Sequence, residues 1–470
     1  MRTIAALATL CVAGCTVGPD FRAPDPPATD RYVQGSAPEV RTALDRDIPA
    51  EWWSVFESKD IDALVQRALS GNPSLDQARA RLTQAQELRT ARQGSALYPR
   101  LDLSGGAERQ RIDPATFGFP QAPNPGPFNV FSLGANASYN FDLFGGARRE
   151  LEALGAEVDY QAYELEAAKL TIASNVVATA IRQAQLAAQI DLVTTIVSMQ
   201  QRELSITQHR YDAGGVAWLA VQNQRALVAQ TEAGLPALRA QLAQAGHQLA
   251  LLMGDPPGVA QIPSVSLDTL RLPSELPLRL PSELVRQRPD IRASEALLHK
   301  ASANVGVATA DLYPKLVVSG SFSSSQLTIG DVLGNGINIW SIGLNLLQPI
   351  FRGGELTARK RAAEAAYQQA LGGYRTTVLQ GLSNVADVLR ALEADAATYA
   401  ARSEQAARTE DVYRTTLELF RAGGVSELAV VEADRQRLAA EVDRLSARAA
   451  QYTDAAALYQ ALGGGWTPDR

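Results

Sequence analysis

Two hydrophobic periodicities alternate along the chain, and the shorter one predicts β-strands. In FSLGANASYNFDL (131–143) every odd position is apolar, and every even position is serine, glycine, asparagine or aspartate. Segments 316–323 and 340–346 alternate in the same way, and 100–110 does so more weakly. Period-two alternation is typical of a strand with one apolar face, and these runs approach the roughly 10 residues of a tilted membrane strand.

The four predicted strands are too few to form a membrane pore within one chain. The smallest closed membrane barrels have about eight strands, and open strand edges do not persist in lipid. The strands therefore either form a half-buried antiparallel sheet in a soluble domain or close by oligomerisation. Three copies would supply twelve strands, enough for a closed pore.

The longer periodicity predicts helices. Segments 146–212 and 353–421 contain no proline and almost no turn signal, so each would extend about 100 Å at 1.5 Å per residue. Shorter helices are predicted at 216–253 and 425–462, which makes each half of the chain a helical hairpin. Apolar residues spaced by three or four positions form a heptad seam in the second long helix, at Leu371, Tyr374, Val378, Leu382, Val385, Leu389, Leu392, Ala396 and Tyr399.

Paired glycines mark the bends of these hairpins. Gly214 and Gly215 separate the two helices of the first hairpin, and Gly423 and Gly424 separate those of the second. Glycine accepts the positive φ that ends a helix.

The chain is a tandem duplication. Five segments recur in the same order about 210 residues later, a period far longer than that of solenoid repeats. The matched pairs are NPSLDQARARL (72–82) with RPDIRASEALL (288–298), ALYPRLDLSGG (96–106) with DLYPKLVVSGS (311–321), FDLFGGARREL (141–151) with QPIFRGGELTA (348–358), RYDAGGVAWLAV (210–221) with LFRAGGVSELAV (419–430), and ALLMG (250–254) with YQALG (459–463).

The predicted organisation follows from these repeats and from two proline-rich stretches. Its parts are a signal peptide at 1–14, a tether and belt segment at 15–58, a first repeat at 59–254, a connector at 255–289, a second repeat at 290–463 and a tail at 464–470.

The start of the chain has the form of a secretory signal. Met1-Arg2 precede the apolar run 4–13, which is shorter than the roughly 20 residues that span a bilayer. The run ends in VAGC, which resembles a bacterial lipoprotein signal. This resemblance implies that Cys15 carries S-diacylglycerol and an N-acyl group such as palmitate, and that the protein, with Thr16 next, reaches the outer membrane. The alternative is an ordinary cleavage site followed by a chance cysteine.

Composition argues against several classes of protein. The net charge is −6, which does not suggest nucleic acid binding. His209, His247 and His299 lie tens of residues apart, and the sequence has no metal, nucleophile or phosphate-loop motif. Cys11 lies within the signal, so the mature chain would have one cysteine and no internal disulfide. We predict no enzymatic activity, no metal and no cofactor apart from the covalent lipid on Cys15.

Taken together, these motifs resemble the TolC-like outer-membrane efflux factors, in particular their NodT-type lipoprotein branch, which works with resistance-nodulation-division pumps. The resemblance covers nearly the whole mature chain. The residues that carry it are CTVGPDF (15–21), WWSVFES (52–58), LPSELVRQRPDIRASE (280–295), YP at 98–99 and 313–314, the two AGG bends and ALGGGW (461–466).

The resemblance implies a mainly α fold with a membrane β portion. Three chains would form a twelve-stranded β-barrel continued by an α-helical barrel, to which helices 59–97 and 290–312 contribute. The implied function is a passive exit duct of a tripartite efflux system, with a periplasmic adaptor, an inner-membrane pump and outer-membrane lipid as partners. Two alternatives stay open: the duct of a type I protein secretion system, and a periplasmic scaffold lipoprotein without a pore.

The resemblance also implies two kinds of site residue. The first is a periplasmic tip that would contact the adaptor, formed by Tyr211, Ala213, Gly214, Gly215, Phe420, Ala422, Gly423 and Gly424. The second is a constriction at Glu432, where three-fold symmetry would form a ring of carboxylates that raise one another's pKa. The corresponding residue of the first half is Asn223, so no second ring is predicted. The alternatives are that the glycines serve only as turns and that Glu432 is an ordinary solvated carboxylate near a helix start.

Overall fold

The structure is a computed structural model that describes residues 16–27, 29, 31–33, 42–44, 48–273, 275–332, 334 and 337–466. In these residues the strands are β1 (Thr42–Leu44), β2 (Arg100–Arg111), β3 (Pro127–Phe141), β4 (Leu276–Leu278), β5 (Lys315–Gln326) and β6 (Ile337–Leu347). The helices are α1 (Lys59–Gly71), α2 (Pro73–Leu97), α3 (Gly146–Asp212), α4 (Trp218–Glu232), α5 (Leu235–Met253), α6 (Pro281–Gln287), α7 (Pro289–Ala310), α8 (Glu355–Arg421) and α9 (Glu427–Ala461), with 3₁₀ turns at Trp52–Phe56 and Pro114–Phe117.

The chain divides into two compact units. The first comprises Met1–Pro24, Arg81–Gln161 and Ser294–Tyr374, and the second comprises Asp25–Ala80, Ala162–Ala293 and Arg375–Arg470. Among the described residues, no helix is both long and apolar enough to cross a membrane.

The first unit contains a four-stranded antiparallel sheet in the order β2-β3-β5-β6. Its register aligns the alternating positions of all four strands, so that Leu103, Ala135, Phe322 and Trp340 form one row across the sheet. Because directly paired residues point to the same face, one face collects most of the apolar residues of the four strands. Leu103 and Trp340 are 77% and 71% exposed on that face.

The opposite face of this sheet is mostly small and polar, with apolar exceptions such as Val317 and Ile339. Its rows are Arg100, Ser138, Ser319 and Gly343; Asp102, Asn136, Ser321 and Ser341; and Ser104, Gly134, Ser323 and Ile339. Neighbouring hydroxyls on β5 and β6 bond directly, with Ser321 and Ser341 2.8 Å apart. The amphipathic strands predicted from the sequence are therefore present, and the predicted fold class, mainly α with a four-stranded β portion, is confirmed.

The long helices of the two halves are equal in length. Helices α3 and α8 each have 67 residues, and both their first and their last residues are 209 positions apart (355 minus 146, and 421 minus 212). The bends keep this offset, since Gly214 corresponds to Gly423. The duplication therefore holds residue by residue through both hairpins.

Two predicted helices are interrupted. The helix expected over 216–253 is divided into α4 and α5, with Gly234 between them and a proline, Pro236, in the first turn of α5. The helix expected over 59–97 is divided at Asn72, whose side chain accepts a hydrogen bond from the Ser74 N–H and donates one to Leu252 O. Proline lacks the N–H that a continuing helix needs, and this loss divides the helix near each proline.

The core of the second unit explains the ALGGGW motif. Trp52, buried in its 3₁₀ turn, stacks on Tyr459 of α9 with ring centroids 5.6 Å apart. Gly464 has a φ of +63°, and a Cβ atom there would lie 2.3 Å from Leu170. Gly465 has a φ of +72°, and a Cβ atom there would lie 2.2 Å from the carbonyl oxygen of Pro49. Only glycine satisfies both the backbone angle and the close approach at these positions.

Candidate functional site

The first bend is a Schellman motif. Gly214 has a φ of +78°, and its N–H donates to Tyr211 O at 2.8 Å. The next N–H, of Gly215, reaches back to Arg210 O at 2.7 Å. This pair of bonds satisfies the last carbonyls of α3 and reverses the chain. Ala213 continues the helical pattern by donating to His209 O at 3.1 Å.

The second bend has the same geometry. Gly423 has a φ of +79° and donates to Phe420 O at 2.9 Å, while Gly424 donates to Leu419 O at 2.8 Å. Ala422 donates to Glu418 O at 3.1 Å, as Ala213 does to His209 O in the first half. The eight predicted tip residues thus form two equivalent turns, and their role in adaptor contact stays a prediction.

The aromatic rings beside the two bends make different contacts. The ring of Tyr211 lies 5.1 Å from that of Trp218, the first residue of α4, and the Arg225 guanidinium lies 5.1 Å from the same indole. At the second bend, the ring of Phe420 lies 5.5 Å from the Arg210 guanidinium of the first half. Neither Trp218 nor Arg225 was predicted from the sequence, although a tryptophan three positions beyond a glycine pair is a visible signal.

A hydrogen bond joins the two halves close to the bends. Thr207, which is 1% exposed, donates its hydroxyl to Glu427 Oε1 at 2.8 Å. Further along α3, Gln185 and Gln189 both donate to the hydroxyl of Ser446, at 3.1 and 3.0 Å. The contact between α3 and α9 therefore includes hydrogen bonds between polar side chains, none of which was predicted from the sequence.

Glu432 lies on the second turn of α9 and is exposed. Arg435 binds both of its carboxylate oxygens, at 3.0 and 2.7 Å, and Gln436 donates to one of them at 2.9 Å. These hydrogen bonds lower the pKa of Glu432 to about 2. Within one chain the carboxylate is therefore ionised and paired, which opposes the increase in pKa expected from a ring of like charges.

The neighbouring carboxylate has a different environment. Asp434 is 13% exposed and binds Arg437 at 2.8 Å. The Arg437 guanidinium also lies 4.8 Å from the ring of Tyr413 on α8 and 3.4 Å from Glu410. Asp434 is thus directed against α8, whereas Glu432 faces away from these contacts. Asn223, the counterpart of Glu432 in the first half, is exposed and uncharged.

Two acidic residues, Asp395 on α8 and Asp454 on α9, lie close together. Burial and the adjacent Asp454 raise the pKa of Asp395 to about 6. Among the described residues, no cluster of histidine, cysteine and acidic side chains could hold a metal ion.

Cys15 lies outside the described residues, but the segment directly after it is bound to the first unit. The Val17 N–H donates to Phe144 O at 3.1 Å, three residues beyond the end of β3. Arg149, whose side chain is 5% exposed, donates to Val17 O at 3.2 Å and to Asp20 at 2.6 Å. We call residues 16–21 the anchor segment.

The second half of the anchor segment is held by a chain of side-chain contacts. Arg149 also binds Glu152 at 2.7 Å, and Glu152 lies 2.9 Å from His299 Nε2. The imidazole of His299 stacks on Phe21 with centroids 4.4 Å apart. A Cβ atom on Gly18 would lie 2.4 Å from the Cα of Gly306, so the segment lies directly on the α7 backbone.

Comparison with known proteins identifies one family. The family described as "Outer membrane efflux protein" matches residues 64–255 and 280–464. The pyoverdine export outer membrane protein OpmQ of Pseudomonas aeruginosa is 31% identical over 422 residues, covering 89% of this chain and 88% of its own. Nodulation protein T of Rhizobium leguminosarum bv. trifolii is 27% identical over 471 residues, covering 98% and 96%.

A solved structure of the outer-membrane channel OprN has a similar fold. It aligns with a TM-score of 0.84 at 28% sequence identity, over 97% of this chain and 100% of that one.

Proposed function

Because the chain belongs to the outer membrane efflux protein family, it is an outer-membrane efflux channel, and we propose that it works as a homotrimer joined through a periplasmic adaptor to an inner-membrane pump. In this arrangement the pump supplies the energy and the trimer is a passive exit duct. Most of the chain would lie in the periplasm, with the strands in the outer membrane.

The four-stranded sheet is the observation that carries this proposal. Its outer strands, β2 and β6, each leave one edge unpaired within the described chain. An apolar face is suited to lipid, but unpaired backbone groups at an edge are not. Pairing β2 of one copy with β6 of the next removes every edge when three copies close the ring. The serine, glycine and asparagine face would then line the pore with small polar groups.

The two equivalent bends support the proposed adaptor contact. Each is followed by an exposed leucine at the second position of the next helix, Leu219 in the first half and Leu428 in the second. Exposed apolar residues beside tight turns are suited to packing against another protein. We propose that the adaptor contacts the tip residues named above, which are Tyr211, Ala213, Gly214, Gly215, Phe420, Ala422, Gly423 and Gly424.

The anchor segment supports acylation of Cys15. Its hydrogen bond to Phe144 holds the chain next to the end of β3, where the proposed membrane strands finish. Acyl chains on the preceding residue would therefore start at the membrane surface and could enter the lipid without crossing periplasm. Burial of acyl chains stabilises membrane attachment by about 0.8 kcal/mol per CH₂ group.

We also propose that Glu432 and Arg435 face the pore together. A three-fold ring would then contain alternating negative and positive groups at one level. Such a ring constrains ions by their charge without a large net charge of its own.

The mass of the protein extracted from the outer membrane tests this function. Extraction in mild detergent without heating, with the detergent contribution subtracted, should give a complex of three chains. The same material, reconstituted in planar lipid bilayers, should give stepwise conductance. A monomer, or release into the aqueous fraction without detergent, would contradict the closed barrel.

A further inference from the structure

The apolar face of the four-stranded sheet ends in two positive charges. Arg109 and Arg111, the last residues of β2 on that face, lie on the same side of the strand as Leu103. Glu108 and Gln110, which alternate with them, point to the opposite face. Both arginines are exposed. A mostly apolar surface therefore carries a basic pair at one end.

This basic pair lies at the end of the sheet that is away from the helices. Helix α2 ends at Leu97, just before β2 begins, and α3 begins at Gly146, just after β3 ends. The second half repeats this arrangement, with α7 before β5 and α8 after β6. At the other end of the sheet, β2 is joined to β3 and β5 to β6. In the proposed channel the helices lie in the periplasm, so the arginines lie on the outer side of the membrane.

The length of the apolar face matches the thickness of a membrane. On β3 the apolar positions of this face run from Phe141 back to Phe131, and Asn129, the next residue on the face, pairs with Arg109. The ten residues of this run (141 minus 131) rise about 34 Å along the strand, or about 25 Å along the membrane normal at a tilt of about 40°. The apolar band of membrane barrels is also about 25 Å tall. Arg109 and Arg111 therefore lie at the level of the outer head groups.

Neither arginine is neutralised within the described part of the chain. Arg109 donates to the amide oxygen of Asn129 at 3.3 Å, and no described carboxylate forms an ion pair with either guanidinium. A charged side chain on the lipid face is costly at the middle of the membrane and tolerated near its surfaces. At the surface, guanidinium groups bind phosphate through two parallel charge-assisted hydrogen bonds. The position and the charge of this pair therefore suit a phosphorylated lipid.

We propose that Arg109 and Arg111 bind a phosphate group of the phosphorylated glycolipid in the outer leaflet, with one site on each copy of the chain. The inference rests on the proposed function, because it requires the strands to cross the outer membrane. Alternate residues of a strand are about 7 Å apart, so both guanidinium groups can reach one phosphate. The site fixes the channel to the lipid on the side opposite the anchor segment.

The second half of the chain has no equivalent pair. The matched YP motifs are 215 positions apart (313 minus 98), and at this offset Arg109 corresponds to Ser324 and Arg111 to Gln326. Both of these residues are uncharged, and Ser324 is buried. A trimer therefore carries three such sites, although it has six pairs of strands.

A carboxylate of the next copy is the other group that could bind these arginines. In the proposed barrel β2 of one copy lies beside β6 of the next, and Asp331 lies in the connection that precedes β6. Asp331 already accepts a hydrogen bond from the Thr328 hydroxyl at 2.6 Å. A lipid phosphate is favoured because the arginines point to the face of the sheet that contacts lipid.

Binding of bis-phosphorylated lipid A to the full-length protein in mild detergent tests the inference. Native mass spectrometry should show up to three lipids on the wild-type trimer. Arg109→Gln/Arg111→Gln should weaken binding by about 10-fold or more, because each charge-assisted hydrogen bond contributes about that factor. Arg109→Lys/Arg111→Lys should keep most of the binding, since it keeps both charges. If the glutamine double variant is not trimeric, the two single variants are measured, and each should weaken binding.

The matched control is Arg100→Gln, which removes an exposed arginine from the helix end of the same strand. Arg100 pairs with Asp102 and lies on the opposite face, so this variant should bind lipid A as the wild type does. Fully dephosphorylated lipid A should bind the wild type as weakly as bis-phosphorylated lipid A binds the glutamine double variant. Inorganic phosphate at millimolar concentration should not displace the lipid.

Several results would overturn the lipid site and leave the proposed function standing. These are equal binding of lipid A by the wild type and the glutamine variants, equal binding of the dephosphorylated lipid, and displacement of the lipid by inorganic phosphate. An equal loss of trimer stability in Asp331→Asn and in the glutamine double variant, with lipid binding unchanged, would assign the arginines to a contact between copies. A monomeric native mass for the wild type would contradict the proposed function itself.

Discussion

Arg435 holds both carboxylate oxygens of Glu432 from three positions further along the same helix, at 3.0 and 2.7 Å. The pair lies at the position where the family resemblance implies a constriction, so a constriction there would contain a paired carboxylate instead of a lone one. A lone carboxylate would attract cations, whereas a paired one is already neutralised locally. In the proposed constriction, Arg435 would therefore govern the charge that a passing solute meets.

Arg435→Ala should increase the cation preference of the reconstituted trimer, because it leaves a carboxylate without its arginine at the proposed constriction. Glu432→Ala should shift the preference toward anions, because it leaves an unpaired guanidinium. Reversal potentials in a salt gradient measure both effects. The control is Asn223→Ala, at the equivalent position of the first half. Identical selectivity in all three variants would remove Glu432 from the pore.

The same pair determines a pH response. With the pKa of Glu432 at about 2, the wild-type channel should keep a constant conductance between pH 4 and pH 8. Without Arg435 the largest cause of the lowered pKa is absent, so the carboxylate of the Arg435→Ala variant should bind protons in the ordinary range for glutamate. Its cation preference should then fall as the pH drops from about 5 to 4. A wild-type channel that titrates in that range would contradict the pairing.

Gly423→Ala should destabilise the second hairpin by about 1 to 2 kcal/mol, because an alanine must adopt a left-handed backbone there. Gly424→Ala is the matched control, since a Cβ atom at Gly424 would meet Leu419 O at 3.4 Å and the backbone is not left-handed. Thermal unfolding of the purified protein measures the difference. Equal melting temperatures for the two variants would show that the turn does not depend on the Schellman geometry.

Arg149→Ala should release the anchor segment, because this one side chain binds Val17, Gly18 and Asp20. We expect a loss of about 2 kcal/mol in stability and rapid proteolysis near residue 20. Arg148→Ala is the control, since Arg148 is more exposed and pairs with Asp142, and it should cost less than about 1 kcal/mol. Unchanged protease resistance in Arg149→Ala would show that other contacts hold the segment.

Asp395→Asn should stabilise the protein at neutral pH and not at pH 4. Folding raises the pKa of Asp395, so the protonated form of this residue favours the folded state. This contribution to the free energy of unfolding is lost as the pH rises from about 4 through 6. An amide cannot ionise, so the variant avoids two adjacent charges; after solvent screening we expect about 1 kcal/mol. Melting temperatures at pH 7.5 and pH 4.5, with the exposed Asp387→Asn as control, test the sign.

The sequence was sufficient to predict elements with a long, regular pattern. The limits of α3 fall where the proline-free segment 146–212 predicts them, and the alternation in 131–143 locates most of β3. The parallel pair β1 and β4 was missed because each strand has only three residues, too few to show a period. The break between α4 and α5 was not predicted, although Pro236 marks it in the sequence.

The parts of the candidate site formed by residues close together in the sequence were predictable. Both bends follow from their glycine pairs, and Arg435 could have been recognised as a partner of Glu432 from its spacing of three on a helix. The Thr207–Glu427 bond joins residues 220 positions apart, and sequence periodicity contains no information on such a pairing. The contacts of Gln185 and Gln189 with Ser446 could not be predicted for the same reason, because these residues are also far apart in the sequence.

Because equivalent positions of α3 and α8 differ in burial, substitutions at them should have different effects. A substitution at the fully buried Ile181 changes a contact that forms while a single chain folds, so it should reduce the amount of folded protein. The corresponding Arg390 is exposed and pairs with Glu393 of its own helix at 2.7 Å, so a substitution there should cost much less stability. Duplication has thus given one ancestral position two different tolerances to mutation, one set by burial in the core and the other by exposure to solvent.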